Sequence, residues 1–116
     1  MQIGIGLPNT LKGADRDLIV NWACKADAGP FSSLGVFERL PYDSLEALTV
    51  LAAAAVLTTR IRVATTVLIG PLRNTALLAK EAATIDVLSG GRLTLGLAVG
   101  ARTDDYARAE VEHNTR

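Results

Sequence analysis

Glu38 and Arg39 stand side by side just after a short apolar run, Leu34-Gly35-Val36-Phe37. A carboxylate next to a cation at the end of a strand is able to handle protons or hold an anion. Arginine stays protonated near neutral pH, so Arg39 cannot shuttle a proton as histidine does. The chemistry open to it is binding an anionic substrate or steadying a developing negative charge. The competing reading, a solvated ion pair, is the one the sequence favours. Other chemistries lack their residues. Cys24 is the single cysteine and His113 the single histidine, so neither a metal site nor a serine–histidine–acid set can be assembled. Cys24 is expected to be a small buried hydrophobe on the apolar side of a helix. His113 is expected to lie in a frayed tail.

The whole chain must be able to position such residues. Its 116 residues suffice for one compact domain, and 49% of them are hydrophobic, enough to fold. Twelve basic residues balance twelve acidic ones, which argues against a nucleic-acid-binding or polybasic membrane-binding role. No apolar run approaches the roughly 18 residues needed to span a bilayer, and no signal peptide is apparent. A lone cysteine forms no intrachain disulfide and fits a reducing cytoplasm.

Strand and helix patterns alternate along the sequence. Residues 3–7 read as a strand stopped by Pro8-Asn9. Over residues 15–28, Leu18, Ile19, Trp22, Ala23 and Ala26 fall at helical spacing, and Gly29-Pro30 ends the helix. Residues 34–37 form a second strand. Asp43 is expected to cap the next helix, with Glu46 completing a capping box and Leu45, Leu48, Ala52, Ala55 and Val56 lining its inner face. Residues 61–69 form a third strand. Asn74 caps a third helix, with Leu78, Ala82 and Ile85 facing the core, and Ser89-Gly90-Gly91 closes it. Residues 93–99 form a fourth strand. A polar, weakly held helix begins at Asp104.

Strands about thirty residues apart match β-α-β crossovers and imply a parallel sheet covered by helices. A doubly wound sheet would place a glycine-rich phosphate loop after the first strand, and the stretch 8–14 holds only Gly13. A barrel is favoured by the even spacing and by Gly4, Gly6 and Gly96 within strands, where bulk would crowd a ligand or the interior. Barrel enzymes work at the C-terminal strand ends. The candidate positions are therefore residues 7–9, 37–39, 66–70 and 99–102. Ser89-Gly90-Gly91-Arg92 precedes a strand, at the opposite face, and is expected to serve stability.

Five stretches together carry a family resemblance: Asp43-Ser44-Leu45-Glu46-Ala47-Leu48, Thr59-Arg60-Ile61-Arg62-Val63-Ala64-Thr65-Thr66-Val67-Leu68, Pro71-Leu72-Arg73-Asn74, Leu78-Ala79-Lys80-Glu81-Ala82-Ala83-Thr84-Ile85-Asp86 and Leu88-Ser89-Gly90-Gly91-Arg92-Leu93-Thr94-Leu95-Gly96. Asp104-Asp105-Tyr106 follows. In this order and spacing they resemble the luciferase-like flavin oxidoreductases, which include flavin monooxygenases and deazaflavin-dependent dehydrogenases. The resemblance implies a (β/α)8 TIM barrel about twice this length. The 116 residues are then expected to be its N-terminal half, a four-strand parallel half barrel.

The same resemblance implies FMN or a deazaflavin coenzyme in the complete barrel, a small-molecule substrate, and hydride transfer or monooxygenation. It places Thr66, Val67, Leu68 and Ile69 behind the flavin ring, often with a non-proline cis peptide, and adds Ala98, Val99 and Gly100 from the next strand end. Many members have histidine where Arg39 stands. Deazaflavin dehydrogenases of the sugar-phosphate type carry a glutamate where Ala101 stands, which argues against that reaction. The family holds the flavin phosphate mainly in later units. These residues are therefore expected to bind flavin weakly or not at all, and to act as a homo-oligomer or with a C-terminal half. The alternative is a non-catalytic half barrel or a small-ligand-binding protein acting as an oligomer.

Overall fold

The computed structural model describes residues 1–116. The elements run β1 (Gly4–Gly6), α1 (Arg16–Ala28), β2 (Ser33–Val36), α2 (Ala47–Leu57), β3 (Arg62–Thr65), β4 (Leu68–Ile69), α3 (Thr75–Ser89), β5 (Leu93–Thr94), β6 (Leu97–Ala98) and α4 (Thr103–Arg108). Four strands pair in parallel in the order β1-β2-β3-β5, and β4 pairs in parallel with β6. The expected parallel α/β architecture is therefore present, with strands in chain order. No helix is long and apolar enough to cross a membrane.

The third and fourth expected strands are each broken in two. The break between β3 and β4 falls at Thr66-Val67, whose peptide bond is cis. The break between β5 and β6 falls at Leu95-Gly96, and a side chain bridges the gap. Thr65 Oγ1 donates to Gly96 O at 2.7 Å and accepts from Gly96 N at 2.8 Å. A Cβ on Gly96 would run into the Thr65 carbonyl, so this approach requires glycine.

The core lies between the sheet and α1–α3. Leu34, Val36, Ile61 and Val63 are almost fully buried and point toward the helices. In α1, Asp15 accepts from Leu18 N at 2.9 Å as the cap, and Ile19, Ala23 and Ala26 face inward. Cys24 is exposed, against expectation, and Trp22 keeps 38% of its surface. One residue past Ala23, Cys24 is turned about 100° away from the buried stripe.

Helix α2 also departs from its expected start. Glu46 itself is the cap, accepting from Leu48 N at 3.1 Å and Thr49 N at 2.7 Å, and Asp43 lies outside the helix. Arg73 holds the Glu46 carboxylate at 2.6 Å, and a negative charge there suits the positive end of the helix dipole. The buried face comprises Ala47, Leu48, Val50, Leu51, Ala54 and Ala55, whereas Leu45 and Val56 are exposed. The helix is apolar all round, so its periodicity could not select the inner face.

Asn74 caps α3 by accepting from Leu77 N at 3.0 Å, and Leu78 and Ile85 are buried while Ala82 is half-buried. Gly90 closes the helix in the left-handed region, φ 67°. The turn delivers Arg92 to the exposed carbonyls at the end of α2. Its guanidinium donates to Ala55 O and Thr58 O, both at 2.8 Å, to Ile61 O at 2.5 Å and to Ser89 O at 2.6 Å. Ser89-Gly90-Gly91-Arg92 thus ties three elements together at the N-terminal face of the sheet.

At the same face, Asp27 near the end of α1 accepts from Thr59 N, Arg60 N and Ile61 N at 2.9, 3.0 and 2.8 Å. Partial burial pushes its pKa up, but the three amide donors and the Arg60 charge outweigh this and hold it below 3.8. A depressed native pKa contributes stability above the unfolded value that is lost as pH falls through the native one.

Two predictions follow from these ties. Arg92→Met should lower the unfolding free energy by about 3 kcal/mol, because several carbonyls lose their donor together, and Arg92→Lys should not restore it. Urea denaturation at neutral pH measures both. Asp27→Asn should remove part of the stability lost on acidification below about pH 4, leaving a flatter stability–pH profile there than the wild type has. Urea midpoints across the acid range measure the slope.

Candidate functional site

Side chains alternate across a parallel strand. With Leu34, Val36, Ile61 and Val63 pointing to the helices, the opposite face carries Gly4, Gly6, Ser33, Gly35, Arg62, Ala64 and Thr94, aligned across β1, β2, β3 and β5 by the strand register. This concave face is small-sided and holds one charge, rather than the bulky apolar lining of a finished barrel interior. A Cβ on Gly35 would lie 2.9 Å from Thr66 Oγ1, so the strand end crosses tightly over it.

At the C-terminal ends of the strands, Phe37, Val67 and Val99 keep 46, 38 and 51% of their surface and form an open apolar shelf. Thr66 is also exposed, with its hydroxyl donating to Val36 O at 3.1 Å. The expected cofactor wall is therefore split. Thr66, Val67 and Val99 are open, Ala98 and Gly100 are half-buried, and Leu68 and Ile69 are buried. Leu68 belongs to the helix-side core, and Ile69 lies beneath Gly100, so neither side chain is free for a ligand.

Beneath the shelf lies a buried polar layer centred on the exit from β2. The Asn9 side chain donates to Phe37 O at 2.8 Å and to Leu45 O at 3.3 Å, and accepts from Phe37 N at 3.2 Å. Glu38 is 4% exposed, and its Oε2 accepts from Ile69 N at 2.7 Å. Its Oε1 has no hydrogen bond beyond the ion pair with Arg73. Arg73 also reaches Glu46, so one guanidinium joins two carboxylates. Donation by Thr49 and Leu48 and the charge of Arg73 overcome burial and hold Glu46 below its ordinary pKa.

Arg39 is 8% exposed. Its Nε donates to Asp105 at 2.9 Å, its Nη2 to Asp104 at 3.0 Å and its Nη1 to Tyr42 Oη at 3.1 Å, and the guanidinium lies 4.4 Å from the centre of the Tyr42 ring. Asp105 also accepts from Leu40 N at 2.9 Å. Asp104 is held below its ordinary pKa by its hydrogen bond from Arg102 and by the charges of Arg102 and Arg39.

The solvated pair expected at 38 and 39 is therefore absent. Each residue is buried and paired with a distant partner, because an unpaired charge in that layer would be very costly. With each nitrogen already donating, Arg39 is not placed to grip an anion. The layer also anchors α4, which was expected to be weakly held. Asp105 and Tyr106 are each 1% exposed, and the Tyr106 hydroxyl donates to Val99 O. Nor is the tail frayed: His113 packs edge-on against Tyr106, ring centres 4.9 Å apart. The sequence reading passed over Arg73, Asp105 and Asn9 as partners. Arg73 and Asp105 lie within the family-like stretches Pro71-Leu72-Arg73-Asn74 and Asp104-Asp105-Tyr106, and that membership is the signal the sequence offers for them.

Comparison with known proteins decides the lineage, since the luciferase-like monooxygenase family matches residues 1–116. The chain belongs to that family. Among solved structures, the luciferase-like chain is similar to monooxygenase RslO1 from Streptomyces bottropensis, with 27% identity and a TM-score of 0.85 over 98% of this chain and 38% of that one. It is also similar to the oxygenating constituent of 3,6-diketocamphane monooxygenase from the CAM plasmid of Pseudomonas putida, in complex with FMN, with 22% identity and a TM-score of 0.83 over 99% of this chain and 36% of that one. A third is the coenzyme F420-dependent tetrahydromethanopterin reductase from Methanopyrus kandleri, with 21% identity and a TM-score of 0.75 over 97% of this chain and 31% of that one. The luciferase-like chain thus spans between 31 and 38% of the length of these proteins. No curated protein matches it in sequence.

The buried pair yields a stability test. Arg73→Met should destabilise the protein by about 3 kcal/mol by leaving the buried Glu38 carboxylate without its counter-ion, and combining it with Glu38→Leu should recover much of the loss. Urea denaturation of the two variants measures both effects.

Proposed function

We propose that this chain supplies the ring-facing wall of a flavin-type cofactor site in an oxidoreductase that acts on a small molecule by hydride transfer or oxygen activation. The open apolar shelf of Phe37, Val67 and Val99, at the strand ends where barrel enzymes work, carries the reading. Membership of the luciferase-like family supports the oxidoreductase class. FMN in one similar structure and coenzyme F420 dependence in another support a flavin or deazaflavin ring. That these residues form the N-terminal half of a barrel is part of the proposal, as is a cytoplasmic location, which rests on the single cysteine.

The residues fit the ring but not the phosphate. A planar apolar ring suits the shelf, with Thr66 and the half-buried Ala98 and Gly100 beside it. The basic side chains near these strand ends, Arg39, Arg73 and Arg102, are already in ion pairs. When bound, the ring supplies the redox chemistry. The chain's own residues supply orientation and shielding from water. Glu38 holds Ile69 N–H and so sets the position of the strand end that carries Val67. Arg39 fixes the loop after β2 to α4, a positioning role rather than proton transfer. A second reading, a ligand-binding half barrel without catalysis, is favoured by the internal pairing of both Glu38 and Arg39.

Fluorescence titration with FMN and with riboflavin tests the proposal. Binding should be weak and equal for the two within about a factor of 3, since no free cation meets the phosphate. Val67→Asp should weaken both by about tenfold by placing a charge against the ring. FMN retained stoichiometrically through gel filtration, or binding indifferent to Val67→Asp, would overturn this placement. Measurable oxidoreductase turnover by the chain alone would reject the non-catalytic reading.

A further inference from the structure

The chain has two tyrosines, and their hydroxyls are used differently. Tyr106 is buried and spends its hydrogen on Val99 O. Tyr42 is exposed, and its oxygen accepts from Arg39 Nη1 at 3.1 Å. A phenol has one hydrogen to donate, and no protein acceptor takes that of Tyr42. The threonine hydroxyls at the end of β3 are spent within the fold, Thr65 on Gly96 O and Thr66 on Val36 O.

Tyr42 lies between β2 and α2, in the same strand-end loop as Phe37 of the shelf. Its ring is held in place. The Arg39 guanidinium lies 4.4 Å from the ring centre, and Arg39 is itself fixed by Asp104 and Asp105. Ser44 N donates to Tyr42 O at 2.9 Å and fixes the backbone as well. The donor is thus set before a ligand arrives, which leaves little ordering cost for binding. A hydrogen bond accepted from a cation also polarises the phenol and strengthens its own donation.

The surrounding charges select the acceptor. Arg39 and Arg102 are paired with Asp104 and Asp105, two cations against two carboxylates. An anion gains no net attraction from such a balanced set. An ammonium group brings only donors to meet a donor. A neutral oxygen acceptor with no hydrogen of its own matches, and the carbonyl of a ketone or aldehyde is one. We propose that Tyr42 is the substrate-recognition residue of the strand-end site and donates its phenolic hydrogen to the carbonyl oxygen of a neutral ketone or aldehyde. The assignment rests on the shelf being the seat of the ring, since that reading puts the redox chemistry at the same strand ends as Tyr42.

Fluorine NMR with para-fluoroacetophenone measures ketone affinity for wild type and for Tyr42→Phe, which keeps the ring and loses only the hydroxyl. Circular dichroism first confirms that the two proteins are folded alike. Wild type labelled at tyrosine Cζ gives one carbon signal for each tyrosine, a measurement that stands even if Tyr42→Phe folds poorly. The ketone should shift the Tyr42 signal to saturation and leave that of Tyr106 in place. Tyr42→Phe should bind the ketone about fivefold more weakly, the worth of one net hydrogen bond. The two proteins should bind para-fluoroethylbenzene, which lacks the oxygen, equally well. Equal ketone affinity in the two proteins, no saturable shift at Tyr42, or an equal loss for para-fluoroethylbenzene would overturn the inference. Riboflavin separates it from the cofactor reading. Riboflavin binding that responds to Val67→Asp, with ketone binding indifferent to Tyr42→Phe, sinks this inference alone. Ketone held through Tyr42 on a protein that does not bind riboflavin upholds the carbonyl site and sinks the cofactor reading instead.

Discussion

Glu38 is a carboxylate with almost no access to water, and much of the upper half of the sheet is arranged around giving it partners. Arg73 answers it from the segment before α3, and the amide of Ile69 answers it from β4. Removing either partner would leave one oxygen of a buried carboxylate without compensation. The same short stretch of chain repeats this arrangement on both sides. Phe37 is clasped by Asn9 from the first loop, while Arg39 and Leu40 are clasped by the acids at the start of α4. The exit from β2 is thus a hub through which the loops after β1, β2 and β4 and the first turn of α4 are fixed relative to one another.

The two ends of the sheet are held by different chemistry. At the N-terminal end, Asp27 and Arg92 act on backbone groups: one gathers amides, the other gathers carbonyls. Such ties depend on chain geometry and not on a particular side-chain partner, which suits a face that only has to hold. At the C-terminal end the ties run mostly from charge to charge, and they support an apolar shelf left open to solvent. The candidate site is therefore loop-borne but rigidly supported, because the loops are pinned from below by buried ion pairs.

The two faces of the sheet differ as sharply as its ends. One is a continuous apolar core beneath α1–α3. The other is built of glycine, alanine and small polar residues with a single arginine. A parallel sheet is normally covered on both faces. The small residues leave room for a second layer.

Strand and helix periodicity, the cap at Asn74 and the glycine closure at Gly90 depend on near neighbours, so the sequence by itself determined them, along with the parallel α/β class and the lineage. The tertiary structure decided what depends on contacts far along the chain. Helix α2 is apolar all round, so only its neighbours could select its inner face, and its start at Ala47 makes Glu46 the cap in place of Asp43, with Arg73 paired to the same carboxylate. The break in the third strand and the bridge from Thr65 to Gly96 join residues 31 apart. Glu38 and Arg39 read as a solvated pair because each is the other's sequence neighbour and nearest counter-charge along the chain. Their partners arrive from 35 and 66 positions away, and burial of a charge is settled by where its partner lies in space.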